Sequence, residues 1–157
     1  MTTEVRTIVE HWDLTYRHSA GVVASEFFRA LEEEGRIIAR RCPSCTRALL
    51  PPRPFCDRCY VDTEDWIEVA ATGVVETFTI VFAKFAGLPD PPYAIAYCRL
   101  DGADTAILNY VRGLDLDDMP ASVAALEPGA SIRAVFAPRE LRVGRITDFW
   151  FELAPDA

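Results

Sequence analysis

Two Cys-x-x-Cys pairs, Cys42/Cys45 and Cys56/Cys59, stand ten residues apart within the stretch 36–60, RIIARRCPSCTRALLPPRPFCDRCY. A Cys-x-x-Cys turn aims both sulfurs at one point. Two such turns facing each other make a tetrahedral thiolate cage. Zinc suits that cage because it is tetrahedral, accepts soft ligands and has no redox chemistry. Two disulfides, a redox pair or a rubredoxin-type iron would use the same residues. Disulfides fit poorly, because nothing before the motif resembles a secretory signal. Loops of the rubredoxin kind usually carry glycine after the second cysteine, whereas Thr46 and Tyr60 hold those places here. The expected metal site is therefore Cys42, Cys45, Cys56 and Cys59. Four thiolates leave no open coordination position, so the zinc is expected to be structural.

Charge is distributed around this motif unevenly. Residues 36–60 hold six arginines against one acid, Asp57, a formal +5. One zinc on four thiolates subtracts two and leaves +3. The whole chain carries −8, so the rest is strongly acidic. A basic knuckle on an acidic body points to an anionic contact at the ribbon. Equally, the arginines could do no more than offset the metal centre. The acidic balance disfavours general nucleic-acid binding. Half of the 157 residues are apolar, enough for a sizeable core. No apolar run approaches the roughly 20 residues that span a bilayer, and no targeting segment is visible, so a cytoplasmic protein is expected.

Residues 1–18 are polar and irregular, with His11, Trp12, Tyr16 and His18 standing out. Neither histidine has an acid or nucleophile in a recognisable arrangement with it, so neither is assigned a role. Residues 22–34 read as a helix. Val23, Ala24, Phe27, Phe28 and Leu31 form one stripe, and Gly35 is placed to cap the C-terminus. Arg36 to Arg41 should enter the first knuckle as a short strand. Pro51-Pro52-Arg53-Pro54 is stiff, and either joins the knuckles or presents Arg53 and Phe55 as a ledge.

Beyond residue 65 the pattern is of strands, over 66–70, 74–83, 93–100, 105–111, 131–137 and 146–153. A long acidic connection occupies 112–130. Short strands with turn residues between them predict a small closed barrel or sandwich. Within 74–83, alternation puts Val74, Glu76, Phe78, Ile80 and Phe82 on one face. Cys98 falls with Ala94, Ala96 and Leu100 and reads as a packing residue. In the last strand Thr147, Phe149, Phe151 and Leu153 share a face. Trp150 then lies with Asp148 and Glu152, as a contact for a ligand or partner unless the helix or the N-terminal lead covers it.

These pieces form a larger pattern. HSAG (18–21), SEFFRALEEEGRI (25–37), CPSC (42–45) and PPRPFCDRC (51–59) stand in order. WIEV (66–69), GVVETFTIV (73–81), PPYAIAYCRLDG (91–102) and EPGASIRAVF (127–136) follow. So arranged, the chain resembles the acyl-CoA-associated zinc-ribbon/OB-fold proteins over nearly its whole length. Thr46, where that family tends to have glycine, is the main departure. The resemblance implies a mostly β fold with an N-terminal lead and helix (1–35), a rubredoxin-like zinc ribbon (36–65) and an OB-fold barrel (66–157). It also implies a non-catalytic accessory subunit that accompanies a thiolase-like large subunit acting on acyl-CoA thioesters, by thiolytic or retro-aldol cleavage. No catalytic residue and no activity alone are expected of this chain. Arg40, Arg41, Arg53, Phe55 and Trp150 are the expected CoA- or partner-binding residues. The competing function is single-stranded nucleic-acid binding, which zinc ribbons and OB-folds also serve. Against it, the barrel region 66–157 carries seven basic and thirteen acidic residues.

Overall fold

The computed structural model describes residues 7–9 and 15–155. His11 and Trp12 lie outside the described residues; Tyr16 and His18 are exposed, with ring centroids 5.8 Å apart. The predicted helix is α1 (Gly21–Arg29), continued by a π turn over Ala30–Glu34. Gly35 ends it at φ 65° and donates its N–H to the Ala30 carbonyl. Phe27, Ala30 and Leu31 are buried, with Phe28 packed beside them, so the stripe faces the core as its spacing predicts. The helix end meets the barrel through a loop at 142–146. A side chain at Gly35 would collide with the Arg142 guanidinium, and one at Gly144 with the Glu32 carboxylate.

The ribbon sheet is three-stranded and antiparallel, with β1 (Ile38–Arg41) between β2 (Ala48–Leu49) and β3 (Trp66–Glu68). Trp66 thus belongs to the ribbon sheet, opposite Arg40. The barrel follows as β4 (Thr72–Val81), β5 (Tyr93–Leu100), β6 (Ile107–Val111), a short helix α2 (Met119–Ala125), β7 (Ser131–Phe136) and β8 (Phe149–Leu153). Its closed order is β4-β5-β6-β8-β7, with β7 returning to β4. Every pairing is antiparallel except β6 with β8. This is the five-stranded Greek-key barrel of an OB-fold.

Three local expectations need correction. First, a bulge between Val75 and Thr77 changes the inward phase of β4, so Val75, Phe78 and Ile80 face the core and Val74 and Glu76 do not. Second, the acidic connection contains α2. Asp118 caps it by accepting from the Ala121 N–H, and Pro120 occupies its first turn. Third, the last strand begins only at Phe149. Ile146–Asp148 is a 3-10 turn, and Asp148 is buried rather than on a charged face. Its carboxylate accepts from the backbone N–H groups of Val143, Gly144 and Arg145 at 2.8–3.1 Å.

The barrel interior is filled by Ala94, Ala96, Cys98 and Leu100 of β5, Ile132 of β7, and Phe149 and Phe151 of β8. The same core runs on through Leu50, Ile38 and Leu31, so helix, ribbon and barrel share one apolar interior. Polar bonds reinforce the ribbon–barrel join. Ala48 N–H reaches Asp104 Oδ2 at 2.8 Å, and Leu50 N–H reaches Thr105 Oγ1 at 2.7 Å. Among the described residues no helix is long and apolar enough to cross a membrane.

Candidate metal centre

The two knuckles fold alike because each closes the same pair of backbone bonds. Cys42 N–H donates to Arg47 O at 2.9 Å and Thr46 N–H to Cys42 O at 2.9 Å. In the second knuckle, Cys56 N–H donates to Val61 O at 2.8 Å and Tyr60 N–H to Cys56 O at 2.9 Å. The turn needs a left-handed residue after the second cysteine. Thr46 supplies it at φ 60° and Tyr60 at φ 56°. Neither is glycine, and this conformation costs an L-residue about 1–2 kcal/mol. Thr46 recovers part of that cost through its hydroxyl, which donates to Cys45 O at 2.7 Å.

The four cysteine sulfurs lie within 4.8 Å of one another. Cys45 Sγ and Cys56 Sγ are 3.8 Å apart. Zinc–sulfur bonds of about 2.3 Å in a tetrahedron place sulfurs about 3.8 Å apart, so the donor set fits that ion. The same spacing is far beyond a disulfide bond of about 2.05 Å, and all four cysteines are free. Cys42 and Cys56 are fully buried, with Leu49 packed between the knuckles. Backbone N–H groups point at the sulfurs, Cys45 N–H lying 3.5 Å from Cys42 Sγ. At Cys56 the Arg58 N–H is the strongest such influence, and its thiol is drawn down to about 7. Donors aimed at sulfur favour thiolate, the form that binds metal.

Each candidate arginine has a definite place. Arg40 donates Nε to Thr63 Oγ1 at 3.1 Å, also bonds Thr63 O, and stacks over Trp66 with its guanidinium carbon 4.9 Å from the ring centre. Thr63, buried and unmarked by any sequence signal, returns a bond to Arg53 O at 2.6 Å and so fastens the proline segment to β1. Arg41 reaches the Thr46 carbonyl at 3.1 Å. Arg47 and Arg53 hold opposite oxygens of Asp57 at 3.2 and 3.0 Å. Partial desolvation pushes the Asp57 carboxyl up, but Arg53 and then Arg47 outweigh it and keep it below the usual carboxylate range. Phe55 is half exposed at the ribbon tip, beside exposed Arg58 and Tyr60. Trp150 is half-buried on the outer face of β8. The Arg112 guanidinium stacks on its ring at 4.0 Å, and its Nε1–H donates to Glu152 Oε1 at 3.0 Å. The structure does not bring Trp150 together with the ribbon residues.

The ribbon and barrel correspond to two consecutive family models. Residues 29–64 match the rubredoxin-like zinc ribbon domain of ChsH2, and residues 66–137 match the C-terminal OB-fold domain of ChsH2. The chain belongs to this zinc-ribbon/OB-fold family. Among solved structures, an Ltp2–ChsH2(DUF35) aldolase is similar, with a TM-score of 0.64 and 21% identity over 87% of this chain and 98% of the other. A DUF35 protein of unknown function from Sulfolobus solfataricus is similar with a TM-score of 0.60 and 21% identity, over 85% of this chain and 87% of the other. No curated protein matches the chain. The four cysteines of this ChsH2-type ribbon fit structural zinc, because four thiolates fill its tetrahedral coordination.

Proposed function

We propose that this chain is the non-catalytic accessory subunit of a cytoplasmic thiolase-superfamily complex that makes or cleaves C–C bonds in acyl-CoA thioesters. In that complex it stabilises the large subunit and helps to form the acyl-CoA site. The observation that carries this reading is the succession of a ChsH2-type ribbon and a ChsH2-type barrel in one chain, similar to a solved structure named as an Ltp2–ChsH2 aldolase. The chemistry of the groups present agrees with a supporting role. The metal centre has all four ligands supplied by cysteine. The remaining thiol, Cys98, is buried in the barrel, and burial with the nearby Glu76 charge pushes it up to about 12, so it is neither accessible nor ionised.

Contacts with the partner or with CoA are assigned to Arg41, Arg53, Phe55 and Trp150, which reach the surface. Arg40 supports Arg53 among them, through the Thr63 bond to the Arg53 carbonyl. The guanidinium groups suit phosphate or carboxylate oxygens. Gentle affinity purification of the tagged chain from its native cells tests the reading. Stoichiometric recovery of a thiolase-like subunit together with one zinc per chain is expected. Recovery of the chain alone, or with nucleic acid, would contradict it.

A further inference from the structure

We propose that the outer face of β5 and β6, with the β4–β5 loop beside it, is the surface on which the large subunit docks; the proposal rests on the accessory-subunit reading above. A barrel face in water should be polar. Other strands mostly obey this, with Thr77 and Thr79 outward on β4, Ser131 and Arg133 on β7 and Glu152 on β8; Val135 and the Arg112-covered Trp150 are the apolar exceptions. On β5 and β6 the outward positions are instead Tyr93, Ile95, Tyr97, Leu108 and Tyr110, with Arg99 at the end of the β5 row paired to Glu76. Tyr97 is 46% exposed and Leu108 40%. The neighbouring loop adds Phe82, Phe85 and Leu88, which are 65%, 53% and 49% exposed. These three consecutive stretches of surface are therefore largely apolar, with no cover among the described residues.

The face is also shaped. Tyr93 and Tyr110 pack edge to face at 5.7 Å. On one side of that pair is a concavity of about 350 Å³ reaching Leu114, and on the other one of about 230 Å³ reaching Leu88 and Ile146. Tyrosine-rich surfaces with hollows for a partner's side chains are where binding energy concentrates.

Charge selects the occupant. Asp115 and Asp117 stand exposed beside Leu114 and Leu116 at one end, and Lys84 is neutralised by Asp90 at the other. The cations bordering the face are Arg112, held flat on Trp150, Arg99, paired with Glu76, and exposed Arg145 next to Ile146. The exposed Asp115–Asp117 end, on a chain of net charge −8, disfavours both a second copy and nucleic acid. It fits a different protein that presents an apolar surface with basic residues around it.

Leu108→Arg and Tyr97→Glu place charges at outward positions, and Val22→Glu, on the 87%-exposed helix position, serves as control. Each tagged variant is expressed in the native cells, and the thiolase-like subunit identified with wild type is quantified per bait. Recovery should fall at least about tenfold for the two face variants, with melting, zinc content and the control unchanged. Leu108→Gln repeats the test should a charged variant melt lower. Full recovery with both face variants would overturn the docking face and leave the accessory-subunit reading standing. A wild-type dimer dissolved by Leu108→Arg would overturn it in favour of self-association. Failure of wild type itself to recover the subunit would remove both.

Discussion

Asn109 closes the barrel where its hydrogen-bonded ladder is thinnest. Strands β6 and β8 share a single register pair, Val111 with Phe151. Beyond it the gap is bridged by the Asn109 amide, which donates to Ile146 O and Phe149 O, each at 2.9 Å. Its oxygen accepts the Tyr110 N–H at 2.8 Å, and the residue is 5% exposed. Asn109→Leu keeps the volume and deletes three bonds. At about 1 kcal/mol net for each, and with two buried carbonyls left unpaired, the cost should be about 3 kcal/mol. For a chain of this length that lowers Tm by about 6–12 °C. Asn109→Asp adds a sign test. A carboxylate facing two carbonyl oxygens is disfavoured, so its folded pKa must rise above about 4. Such a group stabilises below its unfolded pKa and loses that contribution as pH rises through the folded value. Urea unfolding of both variants at pH 4.5 and 7 decides the matter. The Asp variant should recover relative to wild type at the lower pH. A Leu variant within about 1 kcal/mol of wild type, or an Asp variant equally weak at both pH values, would refute the bridging role.

Other outcomes follow from single contacts. Cys42→Ser or Cys59→Ser should abolish stoichiometric zinc and melt the ribbon sheet, read by metal analysis and far-UV circular dichroism; unchanged zinc would contradict the four-thiolate cage. Gly73→Ala would set a methyl 2.3 Å from the Arg99 carbonyl oxygen, separating β4 from β5 and costing about 3 kcal/mol in denaturant unfolding. Cys98 should resist a thiol reagent in the zinc-loaded native protein and react only on unfolding. Because its thiol is pushed up to about 12 from 9.0, its burial contributes stability fully below pH 9 and loses it as pH rises toward 12.

Much of this molecule was legible in the sequence because the decisive signals are local. Cys-x-x-Cys spacing fixes the metal centre within a few residues of chain. Strict alternation in 93–100 correctly buries Ala94, Ala96, Cys98 and Leu100. What escaped depends on distant partners or on a local exception. The β4 bulge was hidden because Val74 and Val75 are both apolar, so either phase satisfies the pattern. Helix α2 has its cap and proline signals but only seven residues in which to show periodicity. Asp148 looks like a surface acid until three backbone N–H groups from the preceding loop converge on it. The arginine count around the ribbon likewise says nothing of the Asp57 clamp or the Thr63 anchor, which exist only once the knuckles are folded.

The central claim is that this chain supports catalysis by another subunit. Its most direct test is to assay C–C cleavage of acyl-CoA thioesters by the co-purifying large subunit, alone and with this chain restored at equal molarity. The account predicts that the large subunit is inactive or short-lived alone, that the zinc-loaded chain alone turns nothing over, and that mixing restores cleavage. A large subunit equally active and stable without the chain, or turnover by the chain by itself, would contradict it.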